Sequence, residues 1–205
     1  MKILYSPLRI IFIISLISLA SLTGFSQNYP GNDHKIYQIY VGTVGGGENL
    51  TRFDNLRDFG FINLYSLANP PIDQSEVTGI SRKVFLGPYL GFESAEKVLE
   101  MVRTRGYSDA YIEADERTLK SNKGKNLVYS VQIGAFENPN MRKFTSITNM
   151  FAHGIFLTYE GGLFKVLSGM YDASNADYVR SEVVPYLKSR GYNGFLRTFR
   201  QPFGG

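Results

Sequence analysis

The chain has 205 residues, of which 43% are hydrophobic and 14% aromatic, and its formal net charge is +4. This composition is typical of folded proteins and argues against long disordered regions, and the length suits one large domain or two of about 80 residues. Because the chain contains no cysteine, disulfide bonds, thiolate metal sites and a thiol nucleophile are excluded.

Residues 1–26 have the pattern of a secretory signal peptide. A positively charged start precedes an apolar run over 10–22, and Gly24 and Ser26 put small residues before a cleavage site at Gln27. The alternative is an uncleaved membrane anchor, for which the apolar run is short. We therefore expect an exported protein of the periplasm or cell envelope, with association with the outer membrane left open.

Charge is divided unevenly along the chain. Residues 35–116 contain 8 Lys and Arg against 12 Asp and Glu, a net charge of −4, whereas residues 120–205 contain 11 against 5, a net charge of +6. If the ligand is anionic, the second half of the chain is expected to be the better binder.

Three sequence landmarks occur twice and in the same order. They are the alternating segments 37–44 and 129–136, the glycine-tyrosine segments 87–89 and 169–171, and Arg-Gly-Tyr at 105–107 and 190–192. Such recurrence predicts an internal duplication. The expected organisation is a signal peptide followed by a first domain, a charged linker and a second domain, with bounds at 35–115, 116–126 and 127–201.

Alternation of apolar and polar residues predicts four strands in each copy, at 37–44, 61–67, 80–87 and 110–113 and again at 128–136, 155–159, 163–168 and 194–199. Apolar residues at three- and four-residue spacing predict two helices in each copy. The predicted fold class is α+β: two tandem βαββαβ domains of the ferredoxin or RNP type, each a four-stranded antiparallel sheet with two helices on one face. The other face is expected to be open to solvent or ligand.

The second copy carries a recognisable succession of motifs. Val131-Gln-Ile-Gly-Ala-Phe136 precedes a predicted helix, and Leu163-Phe-Lys-Val-Leu-Ser-Gly-Met-Tyr171 precedes a second helix and Arg190-Gly-Tyr192. This succession resembles the SPOR domain, the sporulation-related repeat of bacterial envelope proteins. The resemblance covers the whole second copy, whereas the first copy is more divergent.

The resemblance implies a non-catalytic module that binds peptidoglycan and prefers glycan strands stripped of their stem peptides. Such domains help to position cell-wall enzymes and cell-division proteins, which are the expected partners. The implied protein is not an enzyme, needs no cofactor or metal, does not bind nucleic acid and has no membrane span once the signal peptide is removed.

Strand alternation predicts which side chains face the glycan. If Val131 and Ile133 face the helices, the opposite face carries Ser130, Gln132, Gly134 and Phe136 from the opening strand and Lys165, Leu167, Gly169 and Tyr171 from the third strand. A denuded glycan offers sugar rings, N-acetyl groups and lactyl carboxylates, which call for aromatic faces, amides and cations. These residues supply all three, beside glycines that permit close approach. The alternative is that the two aromatic residues only cover the sheet edge.

The first copy departs from this pattern. Tyr40 stands where Gln132 does, Val44 replaces the aromatic residue, and the third strand carries Lys83, Phe85 and Tyr89. Because the net charge of this copy is negative, its role is left open between a weaker glycan site and a scaffold that contacts another protein.

Other functions have weaker support in the sequence. A protein-interaction scaffold with degenerate domains is the main alternative, and a contiguous apolar surface joining the copies would favour it. RNA-recognition sheets share the predicted strand order, but the export signal and the nearly neutral mature charge argue against nucleic acid. Gly45-Gly-Gly47 lacks the Gly-Lys-Ser/Thr of a phosphate loop, and His34 and His153 lie in different copies, so neither a phosphate nor a metal site is predicted. No residues pair as catalytic acid and base or as nucleophile and base.

Overall fold

The structure is a computed structural model that describes residues 35–45, 48–66, 81–115, 127–150 and 154–200. The predicted signal peptide and linker lie outside these residues. Within them the chain forms eight strands, β1 (Ile36–Val44), β2 (Phe61–Ser66), β3 (Arg82–Leu90), β4 (Tyr111–Ala114), β5 (Leu127–Phe136), β6 (Ile155–Glu160), β7 (Leu163–Asp172) and β8 (Phe195–Arg200).

The described helical segments lie where the sequence predicts helices, but they are less regular than expected. One regular α-helix, α1, covers Phe92–Thr104 and buries its apolar stripe of Ala95, Val98, Leu99 and Val102. Leu50–Leu56 and Met141–Met150, both expected to be α-helical, are 3₁₀ helices.

The last helical region changes its geometry along its length. After a 3₁₀ turn at Ala173–Asn175, an α-helical turn (Ala176–Tyr178), a π-helical turn (Val179–Val183) and an α-helical segment (Val184–Ser189) follow without a break. We call these three the composite helix. The π-helical turn ends just before Pro185, which has no N–H with which to continue an α-helical hydrogen-bond ladder.

The eight strands described form one mixed sheet in the order β4-β1-β3-β6-β7-β5-β8, with β2 also paired to β3. Each half of the sheet, β1–β4 or β5–β8, has the same internal strand order, and all pairs within a half are antiparallel. The halves join through a parallel pairing of β3 with β6, in which Tyr89 lies opposite Leu157.

The prediction of two separate four-stranded domains with two helices each is therefore wrong. β2 has six residues and pairs with β3 only from Arg82 to Gly87, whereas β3 has nine residues and continues to Leu90. The end of β3 would be left with unpaired backbone groups at a sheet edge, which is unfavourable. β6 occupies that edge and makes the two halves continuous, and the described residues belong to one compact unit.

Side chains at the junction between β3 and β6 reinforce this pairing. Ser94 of α1 accepts a hydrogen bond on its Oγ from the Tyr159 N–H of β6 at 2.8 Å. Thr158 Oγ1 donates to the Leu90 carbonyl of β3 at 3.2 Å, and both hydroxyl residues are buried. The first turn of α1 is thus hydrogen-bonded to a strand of the other half.

The 3₁₀ helix of the second half also contacts the first half. The Met141 N–H donates to the Asp58 carbonyl at 2.8 Å, and Arg142 Nε lies 2.9 Å from Asp58 Oδ1. Arg142 additionally donates to the Asp54 carbonyl. Because both halves contribute to these contacts, neither half keeps its full set of hydrogen bonds alone.

The sheet has a helix-bearing face and a helix-free face. All the buried apolar helix residues belong to one core cluster on the helix-bearing face, which includes strand residues of both halves such as Ile39, Val84, Val131 and Val166. The alternate residues of the strands form a second, smaller cluster on the helix-free face, to which none of the described helices contributes: Ile36, Leu90, Phe156, Leu167 and Met170. The centre of the helix-free face is therefore buried, contrary to the expectation of a wholly open platform.

Candidate functional site

Four aromatic side chains gather on the helix-free face of the first half. The rings of Tyr40 and Tyr111 are stacked with centroids 4.8 Å apart, and Phe85 meets Tyr40 edge-on at 5.8 Å and Tyr65 edge-on at 5.1 Å. We call these four residues the aromatic cluster. Tyr111 is 42% exposed, Tyr40 and Tyr65 are half-buried, and Phe85 is buried beneath them.

Strand register explains why these rings meet. Tyr40 of β1 lies opposite Phe85 of β3 on one side and Tyr111 of β4 on the other. Directly opposed residues share a sheet face and have close Cβ atoms. Lys83 lies on the same face, with its Nζ 5.9 Å from the centroid of the Tyr40 ring, which is within the range of a cation–π interaction. The cluster thus combines apolar ring surface with a nearby cation.

The helix-free face of the second half carries charged and amide groups instead. Glu160 of β6 accepts hydrogen bonds from Lys165 of β7 and, at 2.8 Å, from Arg197 Nη2 of β8. Arg197 Nη1 donates to the Oε1 of Gln132 on β5 at 3.1 Å. We call these four residues the polar network, and it crosses all four strands of this half.

The polar network is partly shielded from water. Its charged side chains are between 16% and 21% exposed. Burial alone would raise the pKa of Glu160, but the hydrogen bonds and charges of Lys165 and Arg197 outweigh it and hold the pKa below its usual value. Lys165 and Arg197 share this one carboxylate, so both cations are engaged although the network keeps a net positive charge.

Some of the residues predicted for the second half lie on the predicted face. Ser130, Gln132, Lys165 and Leu167 are on the helix-free face, but Ser130 is buried and its Oγ donates to the Ser168 carbonyl at 3.3 Å. Leu167 belongs to the buried apolar cluster. Of these four, Gln132 and Lys165 are brought together with a charged site, through Arg197 and Glu160.

Gly134 and Phe136 lie on the helix-bearing face, so their predicted orientation is wrong. A register shift between Gln132 and Gly134 puts an extra residue into β5 and reverses the alternation beyond it. Phe136 packs against the main core and meets Phe144 at 6.0 Å. A Cβ at Gly134 would come within 2.6 Å of the Phe136 ring, so this glycine makes room for an aromatic neighbour in the core.

Gly169 and Tyr171 show the same relation. Gly169 has a φ of +68°, and a Cβ there would collide with the Tyr171 ring. Tyr171 packs against the main core, and burial, with a smaller effect of Tyr178, raises the pKa of its hydroxyl above the usual value. Phe136 and Tyr171 thus pack against the core from the internal strands β5 and β7, so neither the predicted glycan-facing position nor the alternative of covering the sheet edge is correct.

The residues predicted for the first half separate in a similar way. Tyr40, Lys83 and Phe85 come together in the aromatic cluster, but Tyr89 is fully buried in the main core. The Tyr89 hydroxyl donates to the Phe59 carbonyl at 3.1 Å, and burial raises its pKa well above the usual value.

Sequence reasoning missed Tyr65, Tyr111, Glu160 and Arg197. All four lie within or next to strands that were predicted correctly, so the missing information was the register between strands. If the predicted strands β1 and β4 had been aligned as an antiparallel pair in the register that the structure shows, Tyr111 would have been placed opposite Tyr40.

Comparisons with models of known families, with curated proteins and with solved structures found no match to this chain. None of the described helices is both long enough and apolar enough to span a membrane. The described residues also contain no group of three or more His, Cys, Asp or Glu side chains that could hold a metal ion.

Proposed function

We propose that this chain is an exported, non-catalytic protein that binds peptidoglycan glycan on the helix-free face of its sheet. The observation that carries the proposal is the aromatic cluster, where Tyr40, Tyr65 and Tyr111 present ring surface beside Lys83. Sugar rings have apolar C–H faces that pack against aromatic rings, and tyrosine adds a hydroxyl that can meet sugar hydroxyls. The motifs of the second half, which resemble the SPOR domain, support the same class of ligand.

The cluster binds by stacking and charge, and no bond in the ligand changes. Tyr111 is the most exposed of the four rings and offers the first surface to a sugar. Lys83 lies close enough to Tyr40 to place a cation beside a lactyl carboxylate of the same strand of glycan. The buried Phe85 ring holds Tyr40 and Tyr65 in place from below.

The scaffold alternative has one observation in its favour. Phe195 is 54% exposed on β8, which forms one edge of the sheet. An exposed apolar residue on an edge strand is a common contact for another protein. A single ring is a small surface for such a partner, and the four-residue aromatic cluster is the larger feature.

The test uses the protein produced without residues 1–26, incubated with purified peptidoglycan sacculi before and after an amidase removes the stem peptides. Tyr111→Ala is expected to weaken binding about two- to tenfold, because an aromatic contact contributes about 0.5–1.5 kcal/mol. Tyr178→Ala is the matched control, since Tyr178 is 55% exposed but lies on the composite helix. Circular dichroism checks that both variants remain folded.

Binding that increases after stripping and decreases only in Tyr111→Ala would support the proposal. Equal loss in both tyrosine variants would mean that the cluster has no special role. If the wild type does not sediment with either form of sacculi, the glycan function is wrong and the scaffold alternative stands.

A further inference from the structure

A cleft of about 460 Å³ opens beside the aromatic cluster. It lies where β2 and β6 both begin near the same part of β3, because Phe61 pairs with Gly87 and Leu157 with Tyr89. The volume is in the range of sites for small ligands. Its lining includes Gln38, Asn63, Tyr65, Pro88, Asp115 and Ile155.

The most informative residue of the cleft is Gln38. It lies on the helix-free face of β1, opposite Glu113 of β4, and only 7% of it is exposed. Its carboxamide makes no hydrogen bond to any residue that the structure describes, although it lines the cleft. Among the described residues, Ser168 Oγ is the only fully buried side-chain polar atom without a partner, so the Gln38 amide meets water in the cleft. A ligand that displaces this water must replace its hydrogen bonds, and a ligand with matching polar groups would do so.

Asn63 adds a second amide to the same wall. Its side chain makes a long hydrogen bond, from Nδ2 to the Phe61 carbonyl at 3.4 Å, and its Oδ1 accepts none from a described residue. The two carboxamides together offer both donors and acceptors. A ligand group with one N–H and one C=O can donate to one of these amides and accept from the other.

The charges around the cleft favour a neutral ligand. Arg57 and Asp115 line it with one charge of each sign, and Arg57 Nε is already 2.6 Å from Asp54 Oδ1. The remaining lining is largely apolar, with Ile62, Pro88 and Ile155. Amide partners beside apolar side chains match a neutral amide that bears a methyl group.

Tyr65 connects this cleft to the aromatic cluster. It lines the cleft and also meets the Phe85 ring at 5.1 Å. We propose that the cleft holds the acetamido group of an N-acetylated sugar while a neighbouring sugar ring stacks on the aromatic cluster. The proposal rests on the glycan-binding function and names the chemical group that the site recognises.

The test compares soluble oligosaccharides by isothermal titration calorimetry: oligomers of N-acetylglucosamine, of glucosamine and of glucose. The wild type is expected to bind the acetylated oligomer about tenfold more tightly than the other two, the effect of about two neutral hydrogen bonds. Glucosamine oligomers lack the acetyl group and carry a positive charge. Glucose oligomers also lack the acetyl group but are neutral, so they show whether the charge of glucosamine contributes to the difference in affinity.

Gln38→Met keeps the side-chain length but removes the amide, and it should reduce the preference for the acetylated oligomer to less than twofold. Asn63→Ala is a second variant at a half-buried position, which protects the test if Gln38→Met does not fold. Asn193→Ala, at an exposed loop position, is the control.

The outcomes distinguish a failure of the acetamido site from a failure of the glycan-binding function. A preference lost in the Gln38 and Asn63 variants but kept in Asn193→Ala supports the acetamido site. Binding of all three oligomers with equal strength, or an unchanged preference in both variants, overturns the acetamido site and leaves the glycan function intact. Absence of binding to every oligomer and to sacculi overturns both.

Discussion

The two halves of the sheet use the same backbone positions for different chemistry. Tyr40 of β1 lies opposite Phe85 of β3, and at the same place in the second half Gln132 of β5 lies opposite Leu167 of β7. The first pair belongs to the aromatic cluster, and Gln132 belongs to the polar network. The shared strand order and register thus determine where a side chain lies, whereas the residue type at that position determines its chemistry.

The site proposed for glycan lies in the half that net charge and motif resemblance do not favour. In the second half, two cations of the helix-free face, Lys165 and Arg197, are paired with Glu160 in the polar network. The first half has the negative net charge, yet it has four clustered aromatic rings and Lys83 above one of them. The net charge of a segment is therefore a poor guide to the local charge of its site.

The largest effect is expected from separating the halves. Residues 27–118 and 120–205, produced as fragments, should each lose on the order of 5 kcal/mol or more of unfolding free energy. Division exposes the cluster of Ile36, Leu90, Phe156, Leu167 and Met170, and burying one such side chain contributes about 1.5–3 kcal/mol. That loss is comparable with the whole stability of a typical domain. Urea unfolding followed by circular dichroism measures it, and a fragment with the midpoint of the whole chain would contradict the single sheet.

A smaller loss is expected from breaking the polar network. Glu160→Gln should reduce the free energy of unfolding by about 1–3 kcal/mol, because two shielded cations lose their counter-charge. Glu100→Gln is the control, since the Lys97–Glu100 pair is exposed and such pairs contribute about 0–1 kcal/mol. Equal losses in the two variants would show that the network contributes no more than a surface pair.

The network should also make stability depend on pH. The pKa of Glu160 is lowered in the folded state from a reference value of 4.5, so the unfolded state binds the proton more readily. The stabilisation is therefore complete above the reference value and is lost as pH falls below it, through the folded-state pKa. Thermal melts between pH 7 and pH 3 should show a smaller acid-induced decrease in Glu160→Gln than in the wild type.

A change of charge in the aromatic cluster should have a modest effect on binding alone. Lys83→Gln is expected to weaken binding to stripped sacculi about two- to threefold at low salt and to have less effect at high salt, because Lys83 is only half-buried and salt screens charges that reach water. Lys188→Gln, at an exposed position of the composite helix, is the control for general charge loss. A salt dependence that is identical in Lys83→Gln and the wild type would exclude a role for this cation.

The smallest effect is expected at Ser168. It occupies the place that Leu86 has in the first half, since Val131 lies opposite Ser168 as Ile39 lies opposite Leu86. The Ser168 Oγ is buried and has no hydrogen-bond partner in the described structure. Ser168→Ala should leave the free energy of unfolding unchanged or raise it by up to about 1 kcal/mol. A loss of more than that would indicate a partner for the hydroxyl.

Much of the fold follows from local sequence patterns. All eight predicted strands are present with small differences at their ends, and helix α1 lies where the spacing of Ala95, Val98 and Val102 puts it. The residues of the candidate site were predicted less accurately than the strands and helices. The sequence singled out Tyr40, Lys83, Phe85, Gln132 and Lys165 at the correct face, but assigned the wrong face to Phe136, Tyr89 and Tyr171.

Those errors share one kind of cause. Alternation is a reliable guide only while a strand pairs regularly, and the extra residue of β5 between Gln132 and Gly134 reverses the side chains that follow, Phe136 among them. β7 has an extra residue between Ser168 and Tyr171, and β3 has one between Leu86 and Tyr89. A bulge depends on the partner strand as well as on its own residues, so a single strand read alone does not reveal it.

The sequence by itself determined where the chain is extended, where glycines turn it and which residues are apolar enough to enter a core. Only the tertiary structure decided that β6 completes the edge of β3, that the two halves share one sheet, and that the aromatic and polar groups lie on different halves of its helix-free face. Strand edges pair through backbone N–H and C=O groups, which are the same in almost every residue. The choice between neighbouring edges is therefore made by the packing of side chains that are distant in the sequence.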